Sequence, residues 1–187
     1  VQRQALKDLA RWRTAGNAEL RLAVNVSAHQ LELEQFVPQL LADVAEAGLY
    51  PADVKLEITE NLMLRDIDMV VPKLRALRAA GVRIAIDDFG TGYSSLSYLR
   101  QFPVDALKVD RSFVADIRAD AGDPSILDAI VAMARGLKLE LVAEGVENRL
   151  QLCRLVAMGC TELQGYVFSC PVNAARFSEF LQEQPFI

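Results

Sequence analysis

Hydrophobic and polar residues alternate in short stretches of the chain, which is the period of a β-strand. Five such stretches cover residues 20–27, 54–60, 83–88, 106–110 and 139–144. A sixth, at residues 162–168, alternates more weakly. Because a helical pattern separates each stretch from the next, the order of elements predicts a parallel sheet of six strands with outer helices.

Apolar residues at spacings of three and four predict the helices between these strands. The helices cover residues 1–13, 36–44, 66–80, 96–102, 123–134, 150–158 and 173–181. Gly48, Gly81 and Gly159 follow three of them and are the residue type that commonly ends a helix. No N-cap residue precedes the first helix, so we expect the chain to begin inside or at the edge of an element.

Polar residues stand at or near the C-terminal end of every predicted strand. These residues are Asn25, Glu57, Asp87, Lys108, Glu144 and Gln164. A doubly wound sheet would gather its ligands at one switch point beside a Gly-rich phosphate loop, and the chain has no such loop. In a (β/α) barrel, strand ends all around the rim build the active site. The sequence therefore favours an α/β barrel.

Composition indicates a soluble single domain from a reducing compartment. The 187 residues are 52% hydrophobic with a net charge of −5, and no apolar run is long enough to span a membrane. The absence of a basic run argues against double-stranded nucleic acid as a partner. Three cysteines without C-x-x-C and a single histidine, His29, argue against a zinc site or a disulfide framework. We therefore expect a cytoplasmic domain, with a membrane anchor in a longer parent protein left open.

Two adjacent carboxylates, Asp87 and Asp88, end the third strand. They have two interpretations: a solvated turn near a helix cap, since turns favour Asp, or a pair held by a divalent metal ion. Asp88-Phe89-Gly90 also matches the D-F-G motif of protein kinases. Because the chain has neither H-R-D nor G-x-G-x-x-G, a kinase is excluded.

The oxygen-rich set of strand-end residues favours the metal interpretation. The set comprises the amide of Asn25 and the carboxylates of Glu57, Asp87, Asp88 and Glu144. Hard oxygen ligands suit Mg²⁺ or Mn²⁺ rather than zinc, and two such ions about 3.5–4 Å apart are a common device for cleaving a phosphodiester. Lys108 is suited to orient or activate the attacking water, or to offset phosphate charge. Taken singly, each residue also has an ordinary structural interpretation, such as a surface pair, a helix-start acid or a turn residue.

Six motifs together resemble the EAL-domain family of cyclic di-GMP phosphodiesterases. They are V-N-V-S-A-H-Q-L (24–31), L-E-I-T-E (56–60), D-D-F-G-T-G-Y-S-S-L (87–96), L-K-V-D-R-S-F (107–113), A-E-G-V-E (143–147) and Q-G-Y-V-F-S-C-P (164–171). The resemblance runs through nearly the whole chain in family order. It implies a modified TIM barrel and a bacterial signalling enzyme that uses Mg²⁺ or Mn²⁺ to hydrolyse cyclic di-GMP to linear pGpG.

The resemblance implies a two-metal site. Asn25, Glu57 and Asp87 would bind the first ion, and Asp87 and Asp88 would serve the second. Glu144 would hold metal and water and act as the general base. Every one of these positions carries the residue type of the family.

Supporting roles also follow from the resemblance. Gln164 would hold metal and water with Glu144, Lys108 would contact the water, and Asp110 would stabilise this corner of the site. Glu60 would anchor the loop at residues 88–94, which in the family couples metal binding to dimerisation. Within this loop, the resemblance implies a substrate-binding or supporting role for Gly90, Thr91 and Ser94.

One departure concerns the family signature. Glu-Ala-Leu, whose Glu is a metal ligand on the family's first strand, does not occur, and only Gln4-Ala5-Leu6 is superficially like it. We therefore expect residues 1–187 to form a single EAL domain without the family's first two strands. We expect it to be inactive or nearly inactive alone, and active in a parent protein that has the Glu. The alternative is a receptor or interaction module that binds cyclic di-GMP without cleaving it. The resemblance further implies a homodimer, formed by the helices after Asp88 and at residues 126–134, and an upstream GGDEF or sensor domain.

Overall fold

Six parallel strands form one sheet in the computed structural model, which describes residues 2–90, 99, 101–117 and 126–183. The strands are β1 (Leu22–Asn25), β2 (Val54–Thr59), β3 (Arg83–Phe89), β4 (Ala106–Val109), β5 (Glu140–Ala143) and β6 (Glu162–Leu163). Each strand pairs with its neighbours in chain order, so β1 and β6 stand at the two edges. Because all pairings are parallel, the carboxyl ends of the strands share one rim. The sheet is a half-barrel, and the predicted fold class is confirmed.

Helices connect the strands. They are α1 (Gln2–Thr14), α2 (Ala28–Glu32), α3 (Phe36–Glu46), α4 (Glu60–Arg65), α5 (Ile67–Ala79), α6 (Arg111–Ala115), α7 (Ile126–Leu137), α8 (Arg149–Ala157) and α9 (Ala174–Glu183), with a 3₁₀ turn at Pro51–Asp53. Within the residues that the structure describes, none of these helices is both long and apolar enough to cross a membrane. Residues 96–98 and 100 of one predicted helix, and 123–125 of another, lie outside the described residues.

Local structure at the strand ends differs from the prediction in two ways. Short helices α2, α4 and α6 begin within three residues of the ends of β1, β2 and β4, and a helix of five or six residues is too short to show apolar periodicity. The sixth strand, predicted over residues 162–168, consists only of Glu162–Leu163. Beyond it the chain turns, with the Phe168 N–H donating to the carbonyl of Gly165 at 3.1 Å.

The hydrophobic core lies between the outer face of the sheet and the helices. Its fully buried side chains include Leu6, Leu56, Ile58, Leu74, Leu77, Ile84, Ile86 and Leu107. Burial of each such Leu or Ile is worth about 1.5–3 kcal/mol. Because side chains alternate along a strand, residues between these apolar positions point to the inner face of the half-barrel.

Side chains on the inner face form three layers from the amino ends to the carboxyl ends of the strands. The basal layer consists of Lys55, Arg83, Glu140 and Glu162. The middle layer is a separate apolar cluster of Ala85, Ala106 and Val142. The upper layer consists of Glu57, Asp87, Lys108 and Glu144. Two ion pairs connect the residues of the basal layer. Lys55 Nζ lies 2.5 Å from Glu162 Oε2, and Arg83 contacts Glu140.

The last helix packs against the first. Trp12 Nε1 donates a hydrogen bond to Ser178 Oγ at 2.7 Å. The Trp12 ring also meets the Phe177 ring edge-on, with centroids 4.7 Å apart. Asn173 Oδ1 accepts from the Arg176 N–H at 3.0 Å, which confirms the predicted cap of α9.

Candidate active site

The ammonium group of Lys108 lies among three carboxylates, of which two belong to β2 and β3 and the third directly follows β5. Its Nζ is 2.6 Å from Glu57 Oε2, 3.1 Å from Asp87 Oδ1 and 2.6 Å from Glu144 Oε1. Lys108 is only 3% exposed. The upper layer therefore brings together four of the residues that the sequence placed at separate strand ends.

The position of Lys108 follows from the order of the strands. Strand β4 lies between β3 and β5, and Leu107 and Val109 on either side of Lys108 are fully buried on its outer face. Lys108 therefore points inward. The Glu144 N–H donates to the Val109 carbonyl at 3.2 Å, which holds the end of β5 beside that of β4.

Burial and charge oppose each other at this cluster. Burial alone would lower the pKa of Lys108, but hydrogen bonds from its ammonium to Glu144 and Glu57, with the charges of Glu57 and Asp87, outweigh burial and raise that pKa above its ordinary value. The pKa of Glu57 is raised, mainly because its carboxyl group is desolvated. Three carboxylates facing one ammonium group leave an excess of negative charge, which favours a further cation at the rim.

Asp88 lies at an irregularity in the sheet. Its φ of 53° is in the left-handed region, which non-Gly residues adopt uncommonly. The register between β3 and β4 shifts between Ile86 and Phe89, and the Asp88 N–H donates to Asp87 Oδ1 at 3.0 Å. The pKa of Asp88 is raised, first by burial and then by the charges of Asp87 and Asp110. A bulge of this kind redirects a side chain next to a functional site, and here it leaves Asp88 within range of the neighbouring carboxylates.

Asp110, two residues after Lys108, is the N-cap of helix α6. Its Oδ1 accepts hydrogen bonds from the N–H of Ser112 at 2.9 Å and from the Ser112 hydroxyl at 2.5 Å. These hydrogen bonds lower the pKa of Asp110. The cap fixes the direction in which the chain leaves β4, consistent with a supporting position.

Asn25 and Gln164 lie at the rim with exposed side chains. Asn25 is opposite Glu57 in the β1–β2 register. The backbone of Gln164 joins the segment after β5, since its N–H donates to the Ala143 carbonyl at 2.9 Å and its carbonyl accepts from the Val146 N–H at 3.0 Å. Both residues therefore border the upper layer.

Glu60 contacts the loop that follows the acidic pair. Its side chain is buried, and Oε2 accepts from the Gly90 N–H at 3.2 Å. This hydrogen bond fits the anchoring role expected for Glu60. Thr91 and Ser94, the other two predicted residues of this loop, lie outside the described residues.

The family model described as "EAL domain" matches residues 1–171. The chain belongs to the EAL domain family. Its relative NbdA from Pseudomonas aeruginosa, a cyclic di-GMP phosphodiesterase, is 47% identical over 186 residues, which are 100% of this chain and 24% of NbdA. The chain spans about a quarter of the length of NbdA and of two further curated relatives that it matches.

Solved EAL structures share the fold. The phosphodiesterase MucR of Pseudomonas aeruginosa in complex with c-di-GMP superimposes with a TM-score of 0.87 at 40% identity, covering 94% of this chain and 71% of that one. Klebsiella pneumoniae BlrP1 in a complex with manganese and cyclic di-GMP gives a TM-score of 0.79 at 34% identity, covering 90% of this chain and 42% of that one.

The donor set of this EAL domain suits a hard divalent cation. Three carboxylates already gather around a positive group, the Lys108 ammonium, within 3.1 Å, and carboxylate oxygens are the ligands that Mg²⁺ and Mn²⁺ prefer. Among the residues that the structure describes, no three His, Cys, Asp or Glu side chains form a metal-binding group by themselves. The carboxylates of the upper layer surround the lysine instead, so the chemistry of the donors supports a metal site and the assignment of individual ligands stays a prediction.

Sequence reasoning missed the packing that holds Gln164 in place. A Cβ on Gly165 would lie 2.1 Å from the Val146 carbonyl oxygen. The Val146 carbonyl also accepts a hydrogen bond from the Val167 N–H at 2.9 Å. The motif Q-G-Y contains the signal, because a glycine inside a predicted strand often marks a close backbone approach.

Replacing Gly165 with Ala should destabilise the EAL domain by about 1–3 kcal/mol, because the new methyl group overlaps the Val146 backbone. Scanning calorimetry of the purified protein measures this change. Gly136→Ala is the matched control, since a Cβ there meets nothing within 4 Å and the substitution should be neutral or stabilising by up to about 1 kcal/mol. Equal melting temperatures for the two variants would contradict the close approach.

Proposed function

We propose that the protein containing this EAL domain hydrolyses cyclic di-GMP to linear pGpG. The observation that carries the proposal is the upper layer, in which Lys108 lies buried among three carboxylates at or near the ends of separate strands. A structural ion pair needs only one partner for the lysine. Additional buried carboxylates cost folding energy, and such arrangements are concentrated at functional sites.

Residue roles in this proposal are those that the resemblance to the family implies, and the chemistry of each group suits its role. Glu144 accepts the proton of the attacking water as general base. Lys108 orients that water and offsets negative charge on the phosphoryl oxygens. Asn25, Glu57 and Asp87 would hold one divalent ion, and Asp87 with Asp88 a second. Bound metal ions of this kind lower the pKa of water and neutralise phosphate charge.

Relatives of the chain support cyclic di-GMP as the proposed substrate. NbdA is described as a cyclic di-GMP phosphodiesterase, and structures of MucR and BlrP1 contain cyclic di-GMP. The excess of carboxylates at the rim explains why a metal is needed, because the anionic phosphodiester would otherwise meet like charge. Mg²⁺ or Mn²⁺ is the proposed cofactor.

The test is an assay of the purified full-length protein with cyclic di-GMP and Mn²⁺, in which chromatography should detect linear pGpG. Removal of metal with EDTA should abolish turnover, and added Mg²⁺ or Mn²⁺ should restore it. Binding of cyclic di-GMP without pGpG in the presence of Mn²⁺ would favour the alternative, a receptor that does not cleave.

Further parts of the proposal concern the whole protein. A homodimer, an upstream GGDEF or sensor domain and a cytoplasmic location stay predictions, as does the organisation of residues 1–187 as one EAL domain. The same assay applied to residues 1–187 alone tests the expectation that this segment is inactive by itself.

A further inference from the structure

Gln151 is a buried amide outside the upper layer that binds two separate parts of the chain. Its side chain is 5% exposed. Oε1 accepts from the N–H groups of Glu147 at 2.7 Å and of Asn148 at 3.2 Å. Nε2 donates to the carbonyl of Val114 in α6 at 3.3 Å. One side chain therefore links the segment at residues 144–148 to helix α6.

The segment at residues 144–148 begins with Glu144, the proposed general base. Its backbone is bound to β4 through the Glu144 N–H and to the turn after β6 through Val146. The N–H groups of Glu147 and Asn148 donate their hydrogen bonds to Gln151 Oε1. Both hydrogen bonds go to a buried side chain, so the segment is held in its path by this amide.

Helix α6 lies against the same segment and begins at Arg111, three residues after Lys108. Gly145 has a φ of 70°, and a Cβ there would lie 2.5 Å from the Arg111 Cβ. The segment and the first residue of α6 therefore approach each other too closely to admit a side chain at position 145. The link through Gln151 joins the piece of chain that carries Glu144 to the piece that follows Lys108.

We propose that Gln151 is a positioning residue of the phosphodiesterase site, which sets the Glu144 carboxylate against the Lys108 ammonium by holding residues 144–148 on α6. This inference rests on the proposed function. Gln151 touches neither group directly and acts through the backbone. Removal of a polar group that orients a catalytic side chain typically costs 10- to 100-fold in activity, and small misplacements of reacting groups have similar effects.

The test compares Gln151→Met with Gln151→Glu in the full-length protein. Met fills a similar volume but makes none of these hydrogen bonds. Glu keeps an acceptor for the two N–H groups and loses only the donor to the Val114 carbonyl. We expect kcat for cyclic di-GMP with Mn²⁺ to fall about 10-fold or more in Gln151→Met with KM changed by less than about threefold, and to fall less in Gln151→Glu, which keeps the hydrogen bonds from residues 147 and 148. Hydrogen–deuterium exchange should be faster at residues 147 and 148 in Gln151→Met only.

Gln39→Met is the matched control, because the Gln39 amide is exposed and binds only Asp43 in the same helix among the contacts described. Its kcat should equal that of the natural protein. Faster exchange at residues 147 and 148 with an unchanged kcat would overturn the inference, as would equal losses of kcat in the two Gln151 variants. Absence of turnover by the natural protein would overturn the proposed function, and exchange would still decide whether Gln151 holds the segment.

Discussion

The variant Glu144→Gln should turn over cyclic di-GMP about 10²- to 10⁴-fold more slowly than the natural protein, because an amide cannot take a proton from water. The amide oxygen keeps its shape and can still accept the hydrogen bond that Lys108 donates to Oε1 at 2.6 Å. The site should therefore stay assembled while the proton transfer is lost. Steady-state production of pGpG at saturating Mn²⁺ measures the effect as a fall in kcat.

Glu140→Gln is the matched control for this variant. Glu140 is the first residue of β5, which Glu144 directly follows, and it pairs with a cation, Arg83, in the basal layer. The middle layer separates it from the upper layer. We expect less than about a twofold change in kcat, because the residue has no path to the reacting atoms. A loss for Glu144→Gln no greater than that for Glu140→Gln would rule out Glu144 as the general base.

The variant Lys108→Met should lower kcat/KM by about 10²- to 10³-fold, the usual effect of removing a group that stabilises charge in the transition state. Lys108 supplies the only lysine or arginine ion pair described for Glu57, Asp87 and Glu144. Without it the carboxylates repel one another. Initial rates across a range of Mn²⁺ concentrations separate a defect in catalysis from a change in metal affinity.

Lys55→Met provides the corresponding control. Lys55 is also a buried lysine on the inner face, but its partner Glu162 keeps 43% of its side chain exposed. Water can therefore solvate Glu162 when the lysine is lost, and the stability cost should be modest. We expect activity within about twofold of the natural protein. A similar loss of activity in both lysine variants would indicate a general disturbance of the half-barrel instead of a specific role for Lys108.

Much of the fold and of the upper layer was predictable because both depend on local alternation. The apolar positions Ile84 and Ile86 set the outer face of β3, and Asp87 then has to point inward near the rim. The same reasoning applied to β4 predicted Lys108 beside the carboxylates. Parallel strands in chain order bring such ends together without further information.

The basal layer could not be predicted in the same way. Lys55 and Glu162 are 107 residues apart and meet only because the sheet curves until β2 faces β6. Alternation assigns each residue a face but does not give the curvature. The predicted extent of β6 is also wrong, because the chain turns at Gly165, whose backbone closely approaches that of Val146.

Gln151 makes one contact that the sequence can predict and one that it cannot. Asn148 and Gln151 form a capping box at the start of α8, and the spacing N-x-x-Q is readable in the sequence. The hydrogen bond from Gln151 to Val114 cannot be predicted from the sequence, because it joins two helices through a tertiary contact. A similar box at Ser27 and Gln30 begins α2 and was available as a signal for that helix.

The contact between α1 and α9 gives this domain a natural optical reporter. Trp12 is the single tryptophan among the 187 residues, and its indole is bound by Ser178 and Phe177 of the last helix. Undocking of that helix would expose the indole to water and shift its emission to longer wavelength. Fluorescence from one native side chain can therefore follow the joining of the first and last helices without an attached dye.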